Sequence, residues 1–254
     1  MVHVSILTGA SRGIGLTIAE IFLNKDPENK LIAVSRSEDK LRVLQDKYGE
    51  DRVGIVSGDV SRKDTNSRAI DLALSKFGQI NSIIANAGVL DPVAPAKDAD
   101  IDQWRRLFDI NFFAVVDLIH QAHPALLKTK GNVVAVSSGA STKSYNGWGA
   151  YGSSKAALNH LIQSVVAEDG NMNAISVAPG VVDTSMQKQI REEFGSGMTP
   201  EAHAQFKSLH SNNELLPPEV PATIYVNLAL KGWDKSLNGK YLRYNDEALA
   251  SYSK

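Results

Sequence analysis

The chain has 254 residues, of which 43% are hydrophobic and 22% charged, and its formal net charge is -1. This balance suits one globular domain with a sheet core, and it indicates neither a nucleic-acid-binding surface nor an acidic tail. The absence of cysteine excludes disulfides, thiolate metal sites and cysteine nucleophiles.

The apolar pattern indicates no export or membrane segment. The run from Met1 to Gly9 lacks the basic and long apolar regions of a signal peptide and is instead typical of a strand. No apolar run approaches the ~20 residues that span a bilayer. We therefore expect a cytoplasmic protein that binds neither a membrane nor nucleic acid.

Short apolar runs alternate with longer helical patterns along the whole chain. We predict strands at 2–8, 31–35, 52–56, 80–85, 132–138, 172–177 and 239–243. We predict helices at 13–24, 38–48, 63–77, 102–127, 150–166 and 219–230, with the long helix interrupted near Pro124. This alternation predicts an α/β fold, a Rossmann-type doubly wound parallel sheet of about seven strands, in a single domain over 1–254.

A polar stretch at 184–218 breaks this rhythm. It contains Gly195-Ser196-Gly197 and ends in Pro217-Pro218. Ligands of such sheets bind at the carboxyl ends of the strands, where this stretch begins. We expect it to be a substrate lid, and the alternative is a surface excursion without a function.

A glycine-rich segment separates the first predicted strand from the first predicted helix. Its spacing is Gly-x3-Gly-x-Gly, a variant of the commoner dinucleotide fingerprint. Glycines let the backbone approach a pyrophosphate, and the helix N-terminus offers free N–H groups. The candidate cofactor-binding residues here are Gly9, Ser11, Arg12, Gly13, Ile14 and Gly15.

The second strand ends without the carboxylate that an NAD site usually supplies to the ribose 2′-hydroxyl. Arg36 follows instead, and with Arg12 it can pair with a 2′-phosphate. This favours NADPH/NADP as the cofactor. Asp59, after the third strand, can accept from an adenine amino group, and Asn86 and Gly88 follow the fourth strand, although all three also suit simple turns.

Tyr151 and Lys155 lie four residues apart on a predicted helix, and Ser138 precedes that helix. An ammonium beside a phenol favours the phenolate, which would lower the tyrosine pKa from its ordinary ~10. Such a tyrosine can exchange a proton with a carbonyl or alcohol oxygen. The Tyr-x3-Lys spacing alone is weak evidence, because it also occurs on solvated helix faces, but the upstream motifs strengthen it.

Two other patterns carry less weight. His120 and His123 are three apart on a predicted helix, but no third ligand has suitable spacing, so we predict no metal site. Ser137-Ser138-Gly139 lacks the Gly-x-Ser-x-Gly pattern of serine hydrolases.

Over nearly its whole length the chain resembles the short-chain dehydrogenase/reductase family. The resemblance implies that Tyr151 is the general acid, Ser138 orients the substrate oxygen, Lys155 binds nicotinamide-ribose hydroxyls, and Asn111 helps to hold a water that relays protons. It also implies that Pro179, Val182 and Thr184 position the nicotinamide. The motifs that carry the resemblance are Thr8-Gly9-x3-Gly13-Ile14-Gly15, Asp59, Asn86-Ala87-Gly88, Asn111, Ser138, Tyr151-x3-Lys155, and Pro179-Gly180 followed by Val182-Asp183-Thr184.

Within the family, Gly147-Trp148-x2-Tyr151 and the segment from Ala178 to Gln187 resemble the sepiapterin reductase and benzil reductase branch. Where sepiapterin reductases carry a pterin-binding aspartate, this chain has Arg243, and Asp246 is three residues later. The resemblance therefore favours benzil reductases, which reduce aromatic 1,2-diketones such as benzil to (S)-benzoin. We expect an aromatic pocket wall formed by Tyr145, Trp148 and Met186.

These inferences predict an NADPH-dependent carbonyl reductase that acts on a small-molecule carbonyl substrate. The family commonly pairs its long helix and its catalytic helix across a two-fold axis, so a homodimer or homotetramer is expected. The alternatives are a pterin reductase of the sepiapterin type, a non-catalytic NADP-binding sensor on the same fold, and an extended-type epimerase or dehydratase. The last class usually has a longer chain and a differently spaced glycine motif.

Overall fold

A computed structural model describes residues 2–254 and has one parallel sheet at its centre. The seven strands are β1 (Val4–Thr8), β2 (Lys30–Ser35), β3 (Val53–Ser57), β4 (Ser82–Ala85), β5 (Asn132–Val136), β6 (Asn173–Ala178) and β7 (Tyr241–Arg243). They lie in the order β3-β2-β1-β4-β5-β6-β7, and all neighbours are parallel. The predicted doubly wound fold is confirmed. The strand order reverses between β1 and β4, which opens a crevice at their carboxyl ends.

Helices cover both faces of this sheet. They are α1 (Gly13–Lys25), α2 (Glu38–Tyr48), α3 (Lys63–Phe77), α4 (Ile101–Phe108), α5 (Ala114–Thr129), α6 (Gly149–Glu168), α7 (Ser185–Glu192), α8 (Pro200–Ser211) and α9 (Glu219–Lys231). Within residues 2–254, no helix is both long and apolar enough to cross a membrane.

The two cores follow from the alternation of side chains along each strand. In β1, Ile6 packs into the core on the α3, α5 and α6 side, whereas Leu7 packs into the core on the α1, α2 and α9 side. Because both faces are covered, every residue of β1 is buried. This explains why the strands appear in the sequence as nearly continuous apolar runs.

The long helix predicted at 102–127 is irregular, but not where we expected. The predicted interruption near Pro124 is wrong, because α5 continues through that residue. Pro124 has no N–H to donate to the His120 carbonyl oxygen. Both residues are on the exposed side of α5, where water can replace that hydrogen bond. The irregularity is a π-helical turn at Asp109–Phe113, which joins α4 to α5 and contains Asn111.

The stretch at 184–218 contains two helices that the polar pattern did not predict. The Thr184 hydroxyl caps α7, and the Thr199 hydroxyl caps α8 with Pro200 in its first turn. A threonine cap followed by proline is a helix-start signal, so α8 was recognisable in the sequence.

Candidate active site

The loop between β1 and α1 forms a backbone cradle at the carboxyl edge of the sheet. Gly9 and Gly13 have φ angles of 72° and 52°, in the left-handed region that favours glycine. A Cβ atom on Gly15 would overlap the Gly9 carbonyl oxygen, so the loop can pack on the first turn of α1 only with glycine there. Arg12 is the N-cap residue of α1, and its side chain forms no capping hydrogen bond. The first N–H groups of the helix are therefore available to an anion.

Asn86 and Thr8 hold this cradle against the end of β4. The Asn86 Nδ2 donates to the carbonyl oxygens of Thr8 at 2.9 Å and Gly9 at 3.3 Å. The Thr8 Oγ1 accepts from the backbone N–H groups of Asn86 and Ala87, each at 3.1 Å. Thr8 therefore fixes the cradle loop against the segment that follows β4. Its place at the end of a buried strand could have indicated this role.

Two exposed arginines stand beside the cradle. Arg12 and Arg36 line the same cavity, and neither pairs with a carboxylate within residues 2–254. Partial burial acts to raise the pKa of Asp59, but hydrogen bonds from Ser61 and the charges of Arg36 and Arg106 outweigh it and lower that pKa. Asp59 is thus held as a carboxylate at the same end of the cavity.

Tyr151 and Lys155 lie one turn apart on α6 and are both buried. The Lys155 Nζ lies 5.9 Å from the centre of the Tyr151 ring and donates to the Val136 carbonyl oxygen at 2.8 Å. Burial lowers the pKa of Lys155 to about 8. Burial also raises the pKa of Tyr151, and the Ser138 hydroxyl partly offsets this. The expected net lowering of the tyrosine pKa is therefore wrong for this structure, because desolvation is the largest contribution and raises it.

Asn111 is fully buried in the π-helical turn. Its Nδ2 donates to the Val89 carbonyl oxygen at 2.9 Å and to the Ser154 Oγ at 3.1 Å, and its Oδ1 accepts from the Val89 N–H at 2.8 Å. A Cβ atom on Gly88 would lie 3.3 Å from the Asn111 Oδ1 and 3.5 Å from the Lys155 Nζ. The glycine thus leaves a small space between these two groups, and a water relay there stays a prediction.

One cavity of about 380 Å³ joins the cradle to Tyr151 and Lys155. The predicted site residues that line it are Gly9, Ser11, Arg12, Gly13, Ile14, Gly15, Arg36, Asp59, Asn86, Gly88, Tyr151, Lys155, Pro179, Thr184 and Met186. The predicted residues Ser138, Asn111, Val182, Tyr145 and Trp148 are not part of its lining. The phosphate-binding pattern and the proton-transfer pattern, which are far apart in sequence, therefore share one space.

The end of the cavity beside Tyr151 carries a group of apolar side chains. Leu90, Met186 and Phe194 line it, together with the polar side chains of Asp91 and Gln189. The pattern of the sequence did not single out Leu90, Phe194 or Gln189, because their place beside Tyr151 depends on how 184–218 folds over the sheet.

Three aromatic rings pack behind this apolar end, and we call Tyr145, Trp148 and Phe206 the aromatic trio. Trp148 stacks on Phe206 with ring centres 5.1 Å apart, and on Tyr145 at 4.9 Å. It also meets the Tyr151 ring edge-on at 5.8 Å. Its buried Nε1 has no acceptor in the described part of the chain, so the indole itself is held by ring contacts rather than by a side-chain hydrogen bond.

The stretch at 184–218 is fastened at both ends and along its length. Val182 and Leu216 pair through their backbones at its root. A Cβ atom on Gly13 would lie 3.3 Å from the Thr184 Cγ2, so the start of the stretch touches the cradle. Farther along, the Thr199 N–H donates to the Asn146 Oδ1 at 2.8 Å.

The remaining sequence candidates lie outside the cavity. The His123 Nε2 contacts the Asp169 carboxylate at 3.0 Å, and no three metal-ligating side chains cluster anywhere in residues 2–254. A Cβ atom on Gly139 would lie 3.4 Å from the Arg243 Nη1, which places this arginine beside the Ser138 turn. Asp246 caps the final helical turn through the Ala248 N–H.

Comparisons with known proteins agree with this geometry. A family model described as short chain dehydrogenase matches residues 3–195. The crystal structure of the YIR035C short-chain dehydrogenase/reductase from Saccharomyces cerevisiae superposes with a TM-score of 0.97 at 45% identity, covering 99% of this chain and 100% of that one.

Several relatives carry the name benzil reductase ((S)-benzoin forming). IRC24 from Saccharomyces cerevisiae is 45% identical over 98% of both chains. A second, from Bacillus cereus, is 33% identical over 88% of this chain and 92% of its own length. The chain therefore belongs to the short-chain dehydrogenase/reductase family, in its benzil reductase-like branch, and is an oxidoreductase.

Proposed function

We propose that this chain is an NADPH-dependent carbonyl reductase for aromatic 1,2-diketones, of the type that converts benzil to (S)-benzoin. The observation that carries the proposal is the single cavity that joins an anion cradle to Tyr151 and Lys155. The names of the benzil reductase relatives support the substrate class. The apolar lining by Leu90, Met186 and Phe194 supports it physically, because aryl groups bind best in such surroundings.

The residues present suit a nicotinamide dinucleotide. The free N–H groups of α1 and the glycines of the cradle suit a pyrophosphate, and Lys155 suits the ribose hydroxyls. Pro179, Val182 and Thr184 would orient the nicotinamide end. Arg12 and Arg36, exposed and lining the cavity, suit a 2′-phosphate and favour NADPH over NADH.

The bound cofactor supplies the hydride that reduces the substrate carbonyl carbon. Tyr151 gives its phenolic proton to the carbonyl oxygen, which becomes the alcohol oxygen. The hydroxyl groups of Ser138 and Tyr151 hold that oxygen while negative charge develops on it. The Lys155 ammonium stabilises the phenolate that remains, and its burial beside Tyr151 makes this effect stronger than in water. Asn111 would hold the relay water that returns a proton to Tyr151 through Lys155.

We further propose that the protein assembles as a homodimer or homotetramer and that it works in the cytoplasm.

We also propose that 184–218 is the substrate lid. This proposal is supported by Met186, Gln189 and Phe194, which come from this stretch and line the apolar end of the cavity. A closed lid would exclude water from the reacting carbonyl.

The test is a spectrophotometric screen of benzil, a quinone and sepiapterin with NADPH and with NADH. We expect benzil with NADPH to have the highest kcat/KM, at least about tenfold above benzil with NADH, since one charge-assisted contact contributes about that much. Faster reduction of sepiapterin would instead identify a pterin reductase. NADPH binding without turnover of any carbonyl would identify a cofactor sensor and end the proposal.

A further inference from the structure

The substrate end of the cavity carries a carboxylate without a cationic partner. Asp91 lines the cavity and is exposed, and it forms no ion pair within residues 2–254. Neighbours along the chain fix its place. Leu90 packs in the same apolar cluster as Tyr151, and a Cβ atom on Gly197, within 184–218, would overlap the Val93 carbonyl oxygen. Asp91 therefore stands between the proton donor and the lid contacts.

Among residues 2–254, no cationic side chain pairs with Asp91 to balance that charge. The cationic side chains that line the cavity are Arg12 and Arg36 beside the cradle, and Lys155, whose Nζ is held by the Val136 carbonyl oxygen. The nearby cations of α7 are engaged elsewhere. The Lys188 Nζ is 3.7 Å from the Glu192 carboxylate, and Arg191 donates to the Gln187 Oε1.

A glutamine of α7 lines the same cavity. Gln189, which lines the cavity, donates its Nε2 to the Glu193 carboxylate at 3.2 Å. This orients the amide carbonyl of Gln189 away from Glu193 and leaves the polar part of this end with acceptors rather than cations. A negatively charged substrate would meet the unpaired charge of Asp91 here.

We infer that Asp91 sets the charge selectivity of the site, disfavouring carbonyl compounds that carry a carboxylate and so favouring neutral dicarbonyls. This inference rests on the proposed reductase function. In 2-oxo acids the carboxylate is bonded to the reacting carbonyl carbon, so it must enter the same end of the cavity as Asp91. Like-charge repulsion between neighbouring groups near a protein surface is strong enough to change relative rates about tenfold.

The test compares phenylglyoxylate with its neutral methyl ester, which share the phenyl ring and the reacting ketone. We expect wild-type protein with NADPH to prefer the ester, and Asp91→Asn to raise the acid-to-ester ratio of kcat/KM about tenfold. Raised ionic strength should increase that ratio in the wild type and much less in the variant. Asp98→Asn is the matched control, because it removes an exposed carboxylate seven positions along that does not line the cavity.

The outcomes separate this inference from the proposal on which it rests. If the wild type reduces the ester and Asp91→Asn leaves the acid-to-ester ratio unchanged, the inference is wrong and the reductase function stands. If the wild type reduces neither the ester nor benzil, both fall together. Asp91→Ser is the second variant, and it should change the ratio in the same direction as Asp91→Asn.

Discussion

The cofactor end of the cavity is built mainly from backbone, whereas the substrate end is built from side chains that arrive from distant segments. At the cofactor end, a single short loop that contains Gly9, Gly13 and Gly15 leads into the free N–H groups of the first turn of α1. At the substrate end, Leu90 and Phe194 are brought together by the fold of 184–218 over the sheet. A change in the first region should therefore affect cofactor binding for every substrate, and a change in the second should affect the choice of substrate.

The largest effect is expected at Tyr151, where the two regions meet. Tyr151→Phe should lower kcat for benzil by about a thousandfold, because it removes the proton donor and keeps the ring. The dissociation constant for NADPH, measured by fluorescence titration, should stay close to that of the wild type. Tyr48→Phe is the matched control, since the Tyr48 hydroxyl is buried without a hydrogen-bond partner in the described chain. Full activity in Tyr151→Phe would refute the proposed mechanism.

A methyl group in the cradle should abolish tight cofactor binding. Gly15→Ala places a Cβ atom onto the Gly9 carbonyl oxygen, so the loop must move away from α1. We expect NADPH affinity to fall about a hundredfold and the free energy of unfolding to fall by about 1–3 kcal/mol. Gly170→Ala is the control, because a Cβ atom there meets nothing within 4 Å. Equal affinities in the two variants would show that the cradle is not the phosphate site.

The cofactor preference should change at the same end. Arg36→Asp removes a cation that suits a 2′-phosphate and supplies a carboxylate for a 2′-hydroxyl. We expect the NADPH-to-NADH ratio of kcat/KM for benzil to fall about thirtyfold. Arg42→Asp on α2 makes the same change of charge outside the cavity and should leave the ratio near that of the wild type. An unchanged ratio in Arg36→Asp would remove the argument for NADPH.

The substrate end should respond differently. Phe206→Ala removes one ring of the aromatic trio, and an aromatic pair is worth about 0.5–1.5 kcal/mol beyond its burial. We expect KM for benzil to rise about fivefold with little change in NADPH affinity. Phe206→Tyr keeps the ring and should restore KM. A loss of NADPH affinity comparable to that of Gly15→Ala would show that the two regions are not separate.

The smallest effect lies at the amino end of the sheet, remote from both regions. Burial lowers the pKa of His3 from 6.5 to about 4, and its Nε2 contacts the Ser82 hydroxyl at 2.9 Å. Because the folded state favours neutral His3, its contribution to stability is complete above pH 6.5 and is lost as the pH falls towards 4. His3→Gln should flatten the pH dependence of the unfolding midpoint in that window and leave kcat unaffected. A variant with the wild-type slope would contradict this assignment.

The contrast between the two regions also explains what the sequence could predict. The cradle is a local motif between one strand and one helix, so the spacing of Gly9, Gly13 and Gly15 is visible in the sequence alone. The short apolar runs predicted the sheet, because strands that are buried on both faces show little alternation of apolar and polar residues. Asn111 was identified by family resemblance, but its π-helical turn was not, since no residue of that turn breaks an α-helix by propensity.

The substrate end was harder to predict, because its contacts depend on tertiary structure. Met186 was expected to line the cavity and does so, whereas Tyr145 and Trp148 lie in the aromatic trio behind it. Phe206, which stacks on Trp148, lies 58 residues farther along the chain, and no local pattern links the two. Long-range packing of this kind leaves no spacing rule in the sequence.

The central claim is that one cavity couples the oxidation of NADPH to the reduction of an aromatic diketone. The most direct measurement mixes the protein with benzil and NADPH and quantifies the oxidised cofactor and the benzoin formed, the latter by chiral chromatography. The account predicts one benzoin for each NADPH consumed, with the S enantiomer in excess. NADPH that binds but is not oxidised, or is oxidised without the formation of benzoin, would contradict it.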